Sequence, residues 1–286
     1  MAVQKRFEEE LEIKHIVKQA FHAGRLDNLY GRLSGLAKHF PPSPVILDRF
    51  ISQDGELKSM VMEGVKSLYP MAREERMATI REAMDYCEPA MMSEMAAIMI
   101  VEQVFSETFK GSGYLSYEMT KHCVAVAEST RFIMKRQGAD PDHAFLFGLM
   151  FRLGIPILAT YSSESYAKCI AHLPGSAALI EDIERGGFHG HNQFDVLYEA
   201  ARNHDFPDWF TAAFSPQSIS SPLLRAGVLS CRIAHKAGFD MGLANIAAEL
   251  LPRELNSAKI SFEDLDELTH EMRGQVEFFQ SFTIHE

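Results

Sequence analysis

The chain is short of positive charge: 28 lysines and arginines stand against 39 aspartates and glutamates, a formal net charge of -11. Nucleic-acid affinity rests largely on clustered Lys and Arg displacing counterions from phosphates. No basic patch interleaved with aromatics occurs, so DNA and RNA are set aside as partners. Cysteine is scarce too. Cys87, Cys123, Cys169 and Cys231 are far apart and form no Cys-x-x-Cys pair, which in a chain of this length reads as reduced, mostly buried thiols of a reducing compartment. The longest apolar run, residues 144–158, falls short of the roughly 20 residues that span a bilayer, so no membrane partner is expected. The first ten residues, MAVQKRFEEE, hold no apolar core of the kind a secretory signal carries; the expected location is cytoplasmic. There is also no G-x-S-x-G elbow, no Walker lysine loop and no G-x-G-x-x-G after a strand. No stretch alternates long enough to form a strand.

What the sequence has is apolar residues at helical spacing. With 47% hydrophobic and 23% charged residues it can bury a sizeable core, and its 286 residues suit one large domain or two lobes sharing an interface. Within 3–23, Phe7, Leu11, Ile16, Val17, Ala20 and Phe21 make an amphipathic stripe. Further helices are expected over 26–37, 57–68, 73–86, 115–137, 162–172, 175–185, 194–203, 207–214, 221–237 and 262–282. Residues 91–109 are apolar nearly all round apart from Glu94 and Glu102, as in a helix sandwiched inside a core. Asp140 and Pro141 supply an N-cap and a first helical proline. The methionines read as plastic core filling, and Trp209 and Phe210 are expected in the core as well. The fold class is all-α. A Gly- and Ser-bearing loop at 110–113 marks a boundary between lobes. The division is N-terminal helices over 1–37, a first lobe over 38–112, a second over 113–240 and a C-terminal helical extension over 241–286.

The stretch that organises the rest is AFLFGLMFRLGIPIL, residues 144–158, apolar on every side with Arg152 its single charge. It predicts a buried helix ended by Gly154 and by Pro156, whose ring drives Ile155 out of the α region. This stretch resembles the central helix of the HD superfamily, in particular its HDOD branch (HD-related output domain). There a small-apolar-Gly-Leu-Leu segment is followed by His-Asp and then Ile-Gly-Lys. Phe147, Gly148, Leu149 and Met150 keep the frame, Leu153 and Gly154 keep the Ile-Gly pair, and Phe151 and Arg152 stand where His-Asp would be. FPPSPVILDRF is similar to the family's Leu-Pro-Pro-Leu-Pro start, and TIREAMDYCEPAMMSEMAAIMIVEQVF to the helices that close its first lobe. The resemblance covers roughly residues 38 to 238 and implies a two-lobed helical bundle.

In a catalytic HD domain, imidazoles and carboxylates hold a metal that lowers the pKa of bound water and clamps phosphate oxygens. Carried over position by position, the resemblance puts the first ligand at His122 in MTKHCVAVA and the central pair at Phe151 and Arg152. It puts later histidines at His189 or His191 in GGFHGHNQF and at Gln217, and the final Asp at Cys231 in SCRIAHKAG. Phe151 has no lone pair and Arg152 is a permanent cation. What is implied is a vestigial site with no metal, no cofactor and no catalytic residue. Two readings of Arg152 stay open. Its guanidinium either fills the metal's volume paired to a carboxylate, Asp195 being the candidate on the family's geometry, or lies at the helix margin and snorkels to solvent. Taken alone, His122 reads as a hydrogen-bonded core histidine rather than a ligand, His189-Gly190-His191 as a solvated loop, and His204-Asp205 as helix-end chemistry.

The expected function is a non-catalytic HDOD-type module, a pseudoenzyme of bacterial signal transduction that binds regulatory proteins or a small ligand. The alternatives are a metal-dependent phosphohydrolase with an altered site built on His122, His189 or His191, and perhaps His204 or Asp205, and a sensor that anchors a nucleotide or other small anion on Arg152.

Overall fold

The 3.6-residue period of the apolar positions carries through to helices across the described residues. The computed structural model describes residues 2–22, 24–74, 77–172, 180–216, 221–241 and 250–283, with 2–10, 113 and 114 described by their backbone alone. Among the described residues there is no strand, and the fold is all-α. The first part comprises α1 (Ala2–Phe21), α2 (Arg25–Ala37), α3 (Pro44–Ser52), α4 (Gly55–Leu68), α5 (Pro70–Glu74), α6 (Ile80–Ala83) and α7 (Pro89–Thr108). The second comprises α8 (Gly113–Arg136), α9 (Pro141–Leu149), α10 (Gly154–Tyr161), α11 (Ser163–Ala171), α12 (Ile180–Gly187), α13 (Gln193–Asn203), α14 (Asp208–Phe214) and α15 (Pro222–Lys236). Then α16 (Pro252–Ser257) and α17 (Asp264–Phe282) follow.

Local chemistry sets the helix starts. Asp54 accepts from the Glu56 and Leu57 backbone N–H groups at the head of α4, and Asp140 accepts from Asp142 and His143 at the head of α9, satisfying donors that have no intrahelical partner. Asn192 and Asp195 form a reciprocal capping box on α13. The single helix expected over 73–86 is instead two short ones. Pro70 opens α5, the chain leaves helix before 79, and Thr79 with Glu82 caps a new start at α6.

Two helices hold the layers together. The stretch read as sandwiched in the core is α7, buried on nearly every side from Met92 to Phe105 and packed against α2, α4 and α8. The longest helix, α8, lies along α7, α9, α15 and α17. Helix α17 buries Leu268, Met272, Val276 and Phe279 against α8 and α4, and α1 rests on α10 and α13. All four cysteines are buried thiols. Phe210 is fully buried, while Trp209 packs at the edge of the core with its ring 4.6 Å from that of His143.

The central stretch differs from expectation in one respect that matters for the site. It is not one helix ended by Gly154 and Pro156. Helix α9 stops at Leu149, residues 150–153 form a turn, and Gly154 and Pro156 begin α10. A proline in the first helical turn loses no hydrogen bond, because that N–H has no helical acceptor. The turn is closed by i to i+3 bonds, from Phe151 N–H to Gly148 O at 3.2 Å and from Leu153 N–H to Met150 O at 3.1 Å. By length and composition Pro141–Tyr161 could cross a membrane, yet 89% of its most apolar window is buried inside the protein.

Candidate functional site

The two frame glycines are where backbones touch. A Cβ on Gly148 would stand 2.7 Å from Ala127 Cα, and one on Gly154 would stand 1.9 Å from the Gln193 carbonyl oxygen. Gly148 therefore lets α9 lie against α8, and Gly154 lets the head of α10 meet the head of α13. From α2, the Tyr30 hydroxyl donates to the Leu153 carbonyl and ties down the turn between them. That turn delivers Phe151 and Arg152 to a cleft of about 260 Å³ between α8, α12 and α15, which His122, Glu181 and Cys231 also line.

Phe151 faces apolar neighbours. It is fully buried, with its ring 4.9 Å from that of Phe194 and 6.0 Å from that of Phe214. It lies so close to α15 that a Cβ on Gly227 would be 2.4 Å from the ring. Arg152 is buried too, its side chain 8% exposed, and Nη1 donates to Glu181 Oε1 at 2.6 Å. Cys231 lines the same cleft. Burial pushes the Cys231 thiol up to about 11, so at neutral pH it is uncharged and the Glu181 carboxylate is the counter-ion. Burial opposes the charge on Arg152, yet the guanidinium stays protonated, with the Glu181 carboxylate hydrogen-bonded to it.

Beneath the pair lies Glu184, with no exposed surface. Burial, helped by the negative Glu181, raises its carboxyl to about 8 against the opposing pull of the Gln193 N–H, Arg152 and Tyr166. It is therefore protonated at pH 7. Gln193 N–H donates to its Oε2 at 2.9 Å, and the Tyr166 hydroxyl lies 3.3 Å from its Oε1. On the opposite wall His122 is 2% exposed, with Nδ1 2.7 Å from the Phe239 carbonyl oxygen. A carbonyl can only accept, so Nδ1 carries the proton and Nε2 the lone pair. Burial first, then the charge of Arg152, push its pKa down to about 3.

Four of the positions picked out in the sequence, His122, Phe151, Arg152 and Cys231, thus line one cleft. His189 and His191 do not. They face α1, with ring nitrogens 3.7 and 4.0 Å from the Glu12 carboxylate, His189 in the left-handed region at φ 53. Gln217 lies outside the described residues. Asp195 is not the partner of Arg152: it pairs with Arg185 at 3.1 Å and caps its own helix. The carboxylate that reaches Arg152 comes from α12, one helix earlier. His204 ends α13 and packs against Phe21 and Tyr30, its Nε2 3.4 Å from Asp27. A larger cavity of about 540 Å³ beside α4 and α7 holds none of these positions.

Glu181, Glu184 and Gly227 were not singled out in the sequence. The signal present was IEDIER, which puts two carboxylates three residues apart on one helical face. A lone buried arginine demands such a carboxylate but does not say which one. The donor set fits an HD-type metal poorly. Phe151 has no lone pair, Arg152 brings a positive charge, and burial keeps the Cys231 thiol protonated. His122 alone has a free lone pair, and among the described residues no three His, Cys, Asp or Glu side chains converge to hold an ion.

Comparison with known proteins places this geometry. A solved structure from Marinobacter aquaeolei VT8, provisionally named a signal transduction protein, superposes with a TM-score of 0.67 at 15% identity over 88% of this chain; the chain spans 59% of the length of that one. One from Shewanella amazonensis SB2B, provisionally named a phosphohydrolase, gives 0.65 at 16% identity, covering 94% of this chain and 98% of its own. An HDOD domain protein of unknown function from Geobacter sulfurreducens gives 0.64 at 12% identity, covering 89% and 90%. At such identities the likeness shows the fold alone, and no curated protein matches. The HDOD domain family itself matches residues 27–217, well over half of the chain, and this protein belongs to it.

Proposed function

We propose that this chain is a non-catalytic HDOD module of bacterial signal transduction, cytoplasmic, which acts by binding a regulatory protein or a small ligand and not by hydrolysing a phosphoester. One observation carries the reading: where the family's His-Asp pair would stand, Phe151 fills an apolar slot over Gly227 and Arg152 is salt-bridged to Glu181 at 2.6 Å. A metal-dependent hydrolase needs an open coordination position and several anionic or imidazole ligands around it. Here a fixed cation and its counter-ion occupy the wall where those ligands would converge.

The test is metal content together with hydrolysis. Protein purified without a nickel column is expected to carry no stoichiometric Fe, Mn or Zn and to leave bis(p-nitrophenyl) phosphate intact with each of these ions added. Turnover that depends on an added ion and is lost in His122→Ala would overturn the reading in favour of an altered phosphohydrolase site.

A further inference from the structure

Glu102, one of the two charges that interrupt the apolar sequence of α7, lies far from the elements of the Arg152 cleft and lines the larger cavity of about 540 Å³. That cavity is a groove between two helix faces. Helix α4 contributes Glu56, Ser59, Met60 and Glu63, and α7 contributes Met99, Glu102, Gln103 and Ser106, each set spaced so that it falls on one face. Three cross-ties hold the helices antiparallel along it. Arg25 bridges Glu56 at 2.9 Å and Glu107 at 3.5 Å at one end. In the middle, Gln103 Nε2 donates to Met60 Sδ at 3.2 Å. At the far end a Cβ on Gly64 would stand 3.0 Å from Met99 Cε and 3.2 Å from Phe282 Cβ, so the end of α17 closes the groove there.

Glu102 therefore stands between the middle tie and the Met99–Phe282 end. The other carboxylates of the groove each have a cation: Glu56 and Glu107 share Arg25, and Glu63 pairs with Lys66 at 2.8 Å. Glu102 has neither an ion-pair nor a hydrogen-bond partner among the described residues. Its side chain is only partly buried, and its oxygens are not among the atoms sealed from solvent without a partner, so an occupant of the groove can reach them. Burial with no counter-ion pushes this carboxyl up to about 7. A hard metal ion would need several oxygen ligands, and only one carboxylate is unpaired. Two thioethers and a phenyl group beside that single carboxylate suit a molecule with one positive end and an apolar body. The volume lies within the roughly 300–1,000 Å³ of small-molecule sites.

We propose that the groove between α4 and α7 binds a small organic cation, a primary ammonium on an alkyl or aryl body, with the ammonium on the Glu102 carboxylate and the body along Met60, Met99 and Phe282. The site lies in the first lobe, so it stands or falls independently of the Arg152 cleft.

The experiment uses the full chain carrying ¹³C-methyl methionine, with the Met60 resonance identified by its loss in Met60→Leu. Hexylamine and phenethylamine are titrated in, with hexanol and phenethyl alcohol as neutral counterparts and Ca²⁺ and Mg²⁺ as inorganic cations. At least one amine is expected to shift the Met60 methyl saturably, to raise Tm and to bind about tenfold or more tightly than the alcohol with the same body. Glu102→Gln keeps the shape without the charge and is expected to abolish that preference. In the unaltered chain the amine stays protonated, as a lysine does, and pairs with ionised Glu102 alone, so its affinity is expected to rise about tenfold from pH 6 to pH 8. No response to either amine, equal binding of amine and alcohol, a preference that survives Glu102→Gln, or an affinity flat across that pH range would overturn the inference. A response to Ca²⁺ or Mg²⁺ alone would overturn it as well, and in each case the non-catalytic reading would be untouched.

Discussion

Arg152 concentrates the energetics of the cleft in one side chain. Removing one partner of a buried pair strands the other charge, which costs roughly 3–5 kcal/mol when burial is complete. Arg152 is 8% and Glu181 17% exposed, so Arg152→Ala is expected to fall near the lower end of that range in urea denaturation. Replacing both, as Arg152→Met with Glu181→Leu, should recover most of the loss, because well-packed apolar residues substitute for buried ion pairs at little cost. If Arg152→Ala proved neutral, the pair would not be holding the cleft. At this scale the sequence showed the anomaly but not its resolution. A lone charge in an apolar run is legible as a buried cation needing a counter-ion. Which of Glu181, Asp182, Glu184 or Asp195 answers it depends on how α12 and α13 are rotated, and spacing does not encode that.

Among the elements, the glycines decide how close helices come. Gly154→Ala would put a methyl 1.9 Å from the Gln193 carbonyl. Neither backbone can yield without moving α10 or α13, so this variant is expected to lose more than the roughly 1–3 kcal/mol typical of overpacking, measured as a drop in Tm. Gly227 and Phe151 interlock as a hole and a knob. Gly227→Ala should destabilise the chain through the ring 2.4 Å away, and much less so in a Phe151→Leu background, with a coupling of about 0.5–3 kcal/mol in a double-mutant cycle. Additivity of the two changes would contradict that contact. Helix identity was legible because a 3.6-residue stripe has a phase, as in the residues of α17 that face α8. The break at 150–153 was not, because a run apolar on every side has no phase to interrupt, and Gly154 with Pro156 signals a boundary without saying on which side the helix lies.

For the molecule as a whole, buried carboxyls set the response to pH. Glu184 is raised to about 8 and Glu102 and Glu128 to about 7, each chiefly by burial, against an ordinary value of 4.5. Each keeps its proton in the folded chain where the unfolded chain has released it. Their contribution is therefore complete below the unfolded pKa and is lost as pH rises through the folded values. For Glu184 the slope approaches about 1.4 kcal/mol per pH unit between roughly pH 5 and 7.5. Glu184→Gln, which keeps an acceptor for Gln193 N–H, is expected to flatten the urea-midpoint profile over that window by about one proton. An unchanged slope would mean that Glu184 is ionised when folded.

The all-α class was legible in the helical spacing of apolar residues along the chain, and Gly148 and Gly154 as frame positions of the central stretch; the backbone contacts those glycines make and the turn between them were not. The chemistry of the cleft rests on Phe151 and Arg152 replacing a ligand pair, and metal content tests that most directly. Protein purified without a nickel column, equilibrated with Fe, Mn and Zn and then desalted, is expected to retain far less than one equivalent of any of them by plasma mass spectrometry. One or two tightly retained equivalents, lost in His122→Ala, would contradict the account.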